Sequence, residues 1–313
     1  MGVISPVGND VNTFWSNLCN GVCGIDHIKS FPTDNLPVGI AGIIKDFKAE
    51  EYGMDKPFIR KQDLFTQYGV AAAYQAMKQS GLSSQGENKN IDPFRLGVYF
   101  GSGIGGFATQ YREISKMIED PSGQWISPLF IPTMISNIAA GHIAILNNAQ
   151  GPCLDIVTAC ATSTNAMGEA FRAIRNGYAD AIITGGCENA TIPIGIVGFA
   201  NAKALSRATD PNYASLPFNG NRAGFVMADG SAALVLEEYE HAKARGAQIL
   251  GEMVGYGNTC DAYHSTAPRP DGTTQAKCIE LALEEAGFDK EKDNLYINAH
   301  GTGPKLNDVA ETL

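Results

Sequence analysis

The sequence contains no long run of apolar residues and no basic-then-apolar segment at its amino terminus. A helix that crosses a bilayer needs about 20 apolar residues in succession, so we expect no membrane association, and the missing signal predicts a cytoplasmic protein. Basic residues are in the minority, because 23 Lys and Arg face 33 Asp and Glu, for a formal net charge of −10. This balance argues against a broad basic surface that binds nucleic acid.

Cysteine and histidine are also scarce, with seven and five residues respectively. An odd number of cysteines without a secretion signal predicts reduced thiols rather than a disulfide framework. Cys19 and Cys23 form a C-x3-C pair with no second pair nearby, so we expect no metal site. A composition of 44% hydrophobic and 18% charged residues is typical of a compact α/β enzyme.

Hydrophobic periodicity predicts alternating strands and helices, but no strand at Met1-Gly-Val-Ile. The predicted strands cover residues 96–100, 153–159, 179–185, 231–236, 249–257 and 295–299, and the predicted helices cover residues 10–21, 60–81, 161–176, 237–245 and 273–286. Residues 153–185 therefore form a β-α-β unit, and the β-then-α order starts again after Gly246. We predict two related halves, residues 1–246 and 247–313, of which the second is incomplete and ends in an unfinished helix.

Cys160 lies where an apolar strand run stops and a helix begins. The apolar face of this helix is predicted to consist of Met167, Ala170, Phe171 and Ile174. Unpaired N–H groups and the positive end of the helix dipole favour a thiolate at this position, and the neighbouring alanines let a substrate approach. The competing interpretation is a small buried core residue, which we accept for the other six cysteines.

A cysteine nucleophile usually works with a histidine. His300 ends a predicted strand and enters Gly301-Thr-Gly, where missing side chains leave the ring open to a ligand. The other four are less suitable: His27 lies in a loop, His142 is expected to be a satisfied core residue, His241 lies on a charged helix, and His264 stays undecided. We therefore pair Cys160 with His300.

Four motifs in this order resemble the β-ketoacyl-(acyl carrier protein) synthases, closest to the type II elongating group. They are Gly101-Ser-Gly-Ile-Gly-Gly106, Thr158-Ala-Cys160-Ala-Thr-Ser163, Pro217-Phe-Asn-Gly-Asn-Arg222-Ala-Gly-Phe225 and Asn298-Ala-His300-Gly-Thr302. The resemblance implies a thiolase-like α/β fold of two related halves, layered α-β-α-β-α, assembled as a homodimer. It also implies acyl carrier protein as the partner.

The resemblance further implies an acyltransferase that carries out a decarboxylating Claisen condensation. Cys160 would take the acyl group from its carrier, and His300, as a neutral donor, would stabilise the enolate formed when malonyl-carrier loses CO2. Ile104 and Phe199 match residues that line the acyl pocket, and Thr302 matches a threonine that contacts phosphopantetheine. No redox cofactor and no catalytic metal are expected, because loss of CO2 makes the condensation favourable.

The chain departs from the family pattern in several places. Pro304 stands at a threonine that would hold pantetheine, and Asn219 and Ala223 stand where aspartates are usual. The family's catalytic lysine, second histidine and Gly-Phe-Gly-Gly segment have no match up to Leu313, and Glu311 matches a glutamate expected near that lysine. We therefore expect the 313-residue chain to be unstable by itself, with exposed sheet edges, and inactive without its remainder.

Three other interpretations stay open. The glycine loop, which we define as residues 101–106, fits a dinucleotide-binding G-x-G-x-x-G with Asp120 as a distant ribose ligand. A non-catalytic subunit of the chain-length-factor type would use the same fold, although such subunits generally lack the nucleophile. A thiolase or starter-unit synthase would use the same nucleophile on coenzyme A esters.

An acidic carrier protein needs a basic landing site on a chain that is otherwise negative. The residues we assign to this carrier-protein surface are Lys56, Arg60, Lys61, Lys203 and Arg207. The competing interpretation is that they form ordinary solvated helix faces.

Overall fold

The structure is a computed structural model that describes all 313 residues and divides into two compact units. The first unit consists of residues 1–24, 42–194 and 228–250, and the second of residues 25–41, 195–227 and 251–313. Each unit is therefore assembled from three separate stretches of chain. The two related halves, divided near Gly246, remain a prediction.

Eleven α-helices, seven strands and four short 3₁₀ helices account for the regular structure. The helices are Val11–Cys19 (α1), Lys56–Lys61 (α2), Leu64–Ser80 (α3), Phe107–Glu119 (α4), Phe130–Met134 (α5), Ile138–Leu146 (α6), Thr162–Arg175 (α7), Pro193–Asn201 (α8), Tyr239–Ala244 (α9), Thr273–Ala286 (α10) and Lys305–Ala310 (α11). The strands are Gly2–Ile4 (β1), Ile25–His27 (β2), Ile40–Gly42 (β3), Leu96–Gly101 (β4), Cys153–Leu154 (β5), Ala181–Glu188 (β6) and Gly230–Glu237 (β7). None of the helices is both long enough and apolar enough to cross a bilayer.

The first unit is built on a five-stranded mixed sheet with the strand order β1-β7-β6-β4-β5. Strand β4 runs parallel to both β5 and β6, whereas β7 runs antiparallel to β6 and to β1. Parallel strands need a crossover connection, and α7 supplies it between β5 and β6. The predicted β-α-β unit around Cys160 is therefore confirmed.

Alternate residues of the central strands enter two hydrophobic clusters, as the two-residue period of a strand requires. Leu96, Val98 and Phe100 belong to the cluster that includes α3 and α6 residues, whereas Tyr99 and Ile182 pack with residues of α7. Helices thus cover both faces of this sheet. This arrangement explains why β4 is buried along its whole length and confirms the predicted α/β class.

Several predicted boundaries in the first unit were wrong. A strand does begin the chain, since Gly2–Ile4 pairs with β7. The strand predicted over residues 153–159 has only two ladder residues, because the chain turns away before Cys160. The helix predicted over residues 60–81 is two helices, separated where the Asp63 carboxylate caps α3 by accepting the N–H of Phe65.

The apolar face predicted for α7 was also partly wrong. The residues that reach the core are the small ones Ala166, Ala170 and Ala173, while Met167 and Phe171 are half-buried. Small side chains let the helix axis approach the sheet closely, so the larger residues fall to the flanks of the contact. The helix itself matches its predicted span within about one residue at each end.

The second unit contains the two strands β2 and β3, the helices α10 and α11, and long irregular segments. The strands predicted over residues 249–257 and 295–299 were wrong, because neither segment pairs with another strand. A strand requires neighbours that accept and donate its backbone hydrogen bonds. Apolar sequence alone therefore does not make these segments strands, and Val254 and Ile297 remain more than half exposed.

A buried carboxylate fastens α4 to the segment that follows it. Glu113 is 1% exposed and accepts hydrogen bonds from Lys116 Nζ, Arg112 Nε and the Ser127 backbone N–H, each at 2.9 Å. Burial opposes ionisation, but these donors outweigh it and hold the pKa of Glu113 at about 2. The ionised side chain is thus part of the fold.

Replacing Glu113 with glutamine is expected to lower the free energy of unfolding by about 2 kcal/mol near neutral pH, since charge-assisted hydrogen bonds are lost. The lowered pKa means that this stabilisation is complete above the unfolded value of about 4.3 and disappears as the pH falls towards 2. Urea unfolding of the wild type, Glu113→Gln and the exposed control Glu119→Gln measures it. A difference that grows on acidification would contradict the assignment.

Candidate active site

Cys160 lies in a 3₁₀ turn, Ala159–Ala161, directly before α7. It is exposed and forms no disulfide. Ala159 has a φ of 51°, a left-handed conformation that non-glycine residues rarely adopt. Strained backbone of this kind persists where the surroundings fix it, and it turns the chain sharply at the residue before the thiol.

Three polar side chains hold this turn. The Thr158 backbone N–H donates to Thr162 Oγ1 at 2.9 Å, and Asn165 Nδ2 donates to Thr158 Oγ1 at 2.9 Å. No side-chain oxygen caps the first turn of α7. The helix start therefore directs its dipole and its first N–H groups towards the segment that carries Cys160, which favours an anionic sulfur.

A glycine at the end of β4 allows this approach. A Cβ at Gly101 would overlap the carbonyl oxygen of Ile156 and the Cγ2 of Thr162. Any side chain here would push the start of α7 away from the sheet. Cys160 is accordingly held at the carboxyl edge of the parallel strands, which is the edge where α/β proteins place their ligands.

The glycine loop begins at this same edge and connects β4 to α4. Its N–H groups are occupied: Gly103 donates to Glu188 Oε2 at 2.8 Å, Gly105 to Ser102 Oγ at 2.9 Å and Gly106 to the Met134 carbonyl at 2.9 Å. A pyrophosphate would need these donors and would meet the Glu188 carboxylate. The loop therefore does not fit a dinucleotide, although it has the strand-loop-helix context of such a motif.

Three carboxyl groups near the ends of these strands, one of them buried and two partly buried, were not predicted as site residues. Burial raises the pKa of Asp155, Glu188 and Asp229, although hydrogen bonds to each carboxylate partly oppose the shift. Ser136 Oγ donates to Asp155 at 2.6 Å. One sequence feature could have identified them, namely a carboxylate at the end of an apolar run. A charged group is stable in such surroundings only if it has a hydrogen-bond or ionic partner.

In the second unit, His300 is exposed. Its backbone is held by the carboxylate of Glu311, the residue that directly follows α11. Glu311 accepts the N–H of His300 on Oε1 and the N–H of Gly301 on Oε2, each at 2.7 Å. One rigid carboxylate thus fixes two consecutive peptide groups. The direction in which the His300 side chain leaves the backbone depends on Glu311.

A second carboxylate joins the two motif segments of this unit. Asp308 accepts the Phe218 N–H at 2.7 Å and the Gly303 N–H at 3.0 Å, and Arg222 Nε lies 3.5 Å from its Oδ2. Burial by itself would raise the pKa of Asp308, but these donors hold it below its ordinary value. The segments around residues 218 and 303 are therefore tied through one anion.

The predicted substrate-binding residues divide between the units. Ile104 is exposed at the tip of the glycine loop in the first unit. Phe199 and Thr302 belong to the second, where the Phe199 ring packs edge-on against Phe225 with centroids 5.5 Å apart. Since Cys160 belongs to the first unit and His300 to the second, their pairing stays a prediction.

The three departures from the family pattern lie near Asp308. Pro304 caps the start of α11, where its missing N–H costs nothing. Asn219 stabilises its own turn by accepting the Asn221 N–H at 2.8 Å, and Ala223 is exposed. All three substitutions are compatible with the local backbone.

All five residues of the carrier-protein surface are exposed. Lys56, Arg60 and Lys61 lie on α2, whereas Lys203 and Arg207 follow α8 in the second unit. Their use by a carrier stays a prediction.

His142 differs from its expected role, and His264, which the sequence left undecided, has a structural one. His142 was expected to be satisfied, but its Nε2 is buried without a hydrogen-bond partner while its ring packs edge-on against Phe58. Burial lowers its pKa, so the neutral ring is favoured. His264 Nδ1 accepts the N–H groups of Thr266 and Ala267 at 3.1 Å each, which gives it a structural role in its loop.

The family whose models match the chain is described in two parts. The beta-ketoacyl synthase N-terminal domain matches residues 1–242, and the beta-ketoacyl synthase C-terminal domain matches residues 250–313. The chain is 46% identical over 312 residues to 3-oxoacyl-[acyl-carrier-protein] synthase 2 of Vibrio cholerae, covering 99% of this chain and 74% of that protein. It is 44% identical over 311 residues to the synthase of the same name from Staphylococcus aureus, covering 99% and 75%.

Solved structures of ketosynthases are also similar to this chain. A type II polyketide ketosynthase in complex with its acyl-carrier protein superimposes with a TM-score of 0.87 at 31% identity, covering 99% of this chain and 74% of that chain. A beta-ketoacyl synthase from Burkholderia phymatum also gives 0.87, at 29% identity, with 99% and 75% covered. These likenesses confirm the thiolase-like fold class, and the chain spans about three quarters of the length of these proteins.

Proposed function

This chain belongs to the beta-ketoacyl synthase family, and we propose that it condenses an acyl-enzyme thioester with malonyl-acyl carrier protein, with loss of CO2. The product would be 3-oxoacyl-acyl carrier protein, formed during the elongation of a fatty acid or polyketide-like chain. The observation that carries the proposal is the exposed Cys160 at the start of α7. The names of the relatives from Vibrio cholerae and Staphylococcus aureus support it.

The first step is acyl transfer to the enzyme. Cys160 Sγ attacks the thioester carbon of the acyl carrier, and the bond between that carbon and the carrier's pantetheine sulfur breaks. The pantetheine thiol leaves with the proton that balances it. The dipole of α7 supports the attacking thiolate, and the turn held by Thr158 and Thr162 presents it to solvent.

The second step forms the new carbon–carbon bond. Malonyl-carrier loses CO2, the electron pair of the broken bond becomes an enolate, and the enolate carbon attacks the acyl carbon on Cys160. The bond from that carbon to Sγ then breaks. His300 would donate a hydrogen bond to the enolate oxygen, and Glu311 supports this role because it fixes the His300 backbone. No cofactor or catalytic metal is part of the proposal.

Three residues that match substrate-binding positions of the family would bind the substrate. Ile104 and Phe199 would line the acyl pocket, and Thr302 would contact phosphopantetheine. Pro304 supplies no hydroxyl, so one contact to the pantetheine arm is absent and the arm should be held less tightly.

The partners are acyl carrier protein and a second copy of the chain. Exposed cations on α2 suit an acidic carrier, while the rest of the chain is negative. A homodimer is supported by the sheet edge at β5, where Leu154 and Val157 are about half exposed. The cytoplasmic location expected from the sequence stays a prediction.

The direct test supplies acyl-carrier and isotopically labelled malonyl-carrier to the chain, by itself and with the C-terminal segment that its longer relatives carry. Mass spectrometry of the carrier should show a 3-oxoacyl group, together with release of labelled CO2. If the V. cholerae synthase forms this product and neither form of this protein does, the proposed function is wrong.

The same assay tests the carrier-protein surface. Arg60→Glu should raise the KM for acyl-carrier about tenfold and leave kcat nearly unchanged, since a rim charge steers association. Lys89→Glu, at an exposed cation outside the assigned surface, is the matched control. Equal increases in KM for Arg60→Glu and Lys89→Glu would show that α2 is not part of the surface that binds the carrier.

The alternative is a non-catalytic subunit that shapes the acyl tunnel of an active partner. Such a subunit has no use for an exposed thiol at a helix start. Acyl labelling of Cys160 distinguishes the two functions, because only the enzyme forms the thioester.

A further inference from the structure

The glycine loop is held in place by one side chain from the neighbouring strand. Glu188 is the last residue of β6, and its Oε2 accepts the Gly103 N–H at 2.8 Å. Its Oε1 accepts the Ser102 hydroxyl at 3.0 Å. A single carboxylate therefore binds two consecutive residues of the loop, 85 and 86 positions away in the sequence.

The Ser102 side chain connects the Glu188 carboxylate to a later residue of the loop by a second hydrogen bond. Ser102 is 1% exposed, and its Oγ accepts the Gly105 N–H at 2.9 Å while it donates to Glu188. Gly106 is fixed independently by the Met134 carbonyl. Ile104 is thus the residue between two anchored peptide groups, and its side chain is the exposed part of the loop.

The contact with Glu188 makes Gly103 the favoured residue at this position. A Cβ there would lie 2.8 Å from Glu188 Oε2, so a side chain would displace the carboxylate or the loop. The backbone that follows Glu188 is itself held, because Asp229 accepts the N–H groups of Ala190 and Thr191. The anchor is consequently part of the rigid end of β6 and not a flexible surface contact.

We propose that Glu188 is a positioning residue that fixes Ile104 through the glycine loop and thereby sets the length of acyl chain the site accepts. The inference rests on the proposed function, since Ile104 acts on an acyl chain only if the site binds one. Glu188 itself touches no reacting atom. Its effect is exerted entirely through the position of the loop tip.

The test compares kcat/KM over a graded series of acyl-carrier chain lengths for the wild type, Glu188→Ala and Ile104→Ala. Loss of the anchor should change the ratio of kcat/KM for long against short chains about tenfold, which is the usual range for a misplaced methylene-sized contact. The double variant should show no change beyond that of Ile104→Ala, because both act through one side chain. Glu240→Ala, at an exposed glutamate, is the control.

A structural measurement separates this inference from the proposed function. Hydrogen exchange of peptides covering residues 102–107 should become faster in Glu188→Ala, with or without enzymatic activity. Gly103→Ala, whose Cβ would crowd Glu188 Oε2 from the loop side, should change the exchange and the chain-length ratio in the same direction if Glu188→Ala does not fold.

Two results would overturn the inference. Unchanged exchange in the loop would show that Glu188 is not its anchor. Faster exchange with kcat/KM reduced equally for every chain length would leave Glu188 with a structural role only. If the wild type condenses no acyl-carrier, the proposed function fails, and the exchange data alone decide whether the anchor exists.

Discussion

Replacing Cys160 with alanine is expected to remove the acyl-enzyme and lower the rate of condensation by at least about 10³-fold. The reason is that no other group at the start of α7 can form the thioester. With the C-terminal segment of the longer relatives supplied, intact-mass measurement after exposure to acyl-carrier should show one added acyl group on the wild type and none on Cys160→Ala. The variant should fold normally, because the side chain is exposed.

The matched control is Cys260→Ala, which removes another exposed thiol from the second unit. It should retain the acyl adduct and the rate of the wild type. An adduct that persists in Cys160→Ala, or that disappears in Cys260→Ala, would assign the nucleophile to another residue. The mass measurement reports the first step alone and so needs no malonyl-carrier.

Replacing Asp308 with alanine is expected to destabilise the second unit by about 3 kcal/mol, the order found when one member of a buried pair is removed. The Phe218 and Gly303 N–H groups would lose their acceptor, and the Arg222 guanidinium would lose its ion-pair partner. Hydrogen exchange in the segments around residues 218 and 303 and urea unfolding both measure the change. Activity should fall with it, since the His300 segment is adjacent.

The pH dependence of this difference has a definite sign. Asp308 has a lowered pKa in the fold, so its contribution to stability is present above the unfolded value of about 3.9 and lost as the pH falls below it. Asp289→Ala, at a carboxylate that pairs with Lys292 at the surface, is the control and should change stability much less. Equal destabilisation by the two substitutions would argue against the anchoring role of Asp308.

Secondary-structure elements could be predicted from the sequence where the spacing of apolar residues within the segment itself defines them. The span of α10 follows from its apolar spacing and from Gly287, which ends it in the left-handed region. The β-α-β unit around Cys160 follows in the same way. The segments at residues 249–257 and 295–299 have strand-like composition too, but pairing depends on other parts of a sheet and cannot be read from the segment itself.

The residues of the candidate site also differ in whether local sequence is enough to recognise them. Cys160 and His300 are recognisable from their neighbours in the sequence. Glu188 and Asp308 are not, because each acts on residues about 85 to 90 positions away. A carboxylate that accepts distant N–H groups has no local signature beyond its position at the end of an apolar run or in a short helix.

The anchoring of the glycine loop has a thermodynamic consequence for any ligand that reaches Ile104. The entropy lost by ordering residues 102–106 is lost when the protein folds, since the Glu188 and Ser102 hydrogen bonds form in the absence of ligand. Binding then carries no further ordering cost for this segment, and more of the contact energy appears as affinity. Chains of different length should therefore be discriminated by fit alone, with little compensation from rearrangement of the loop.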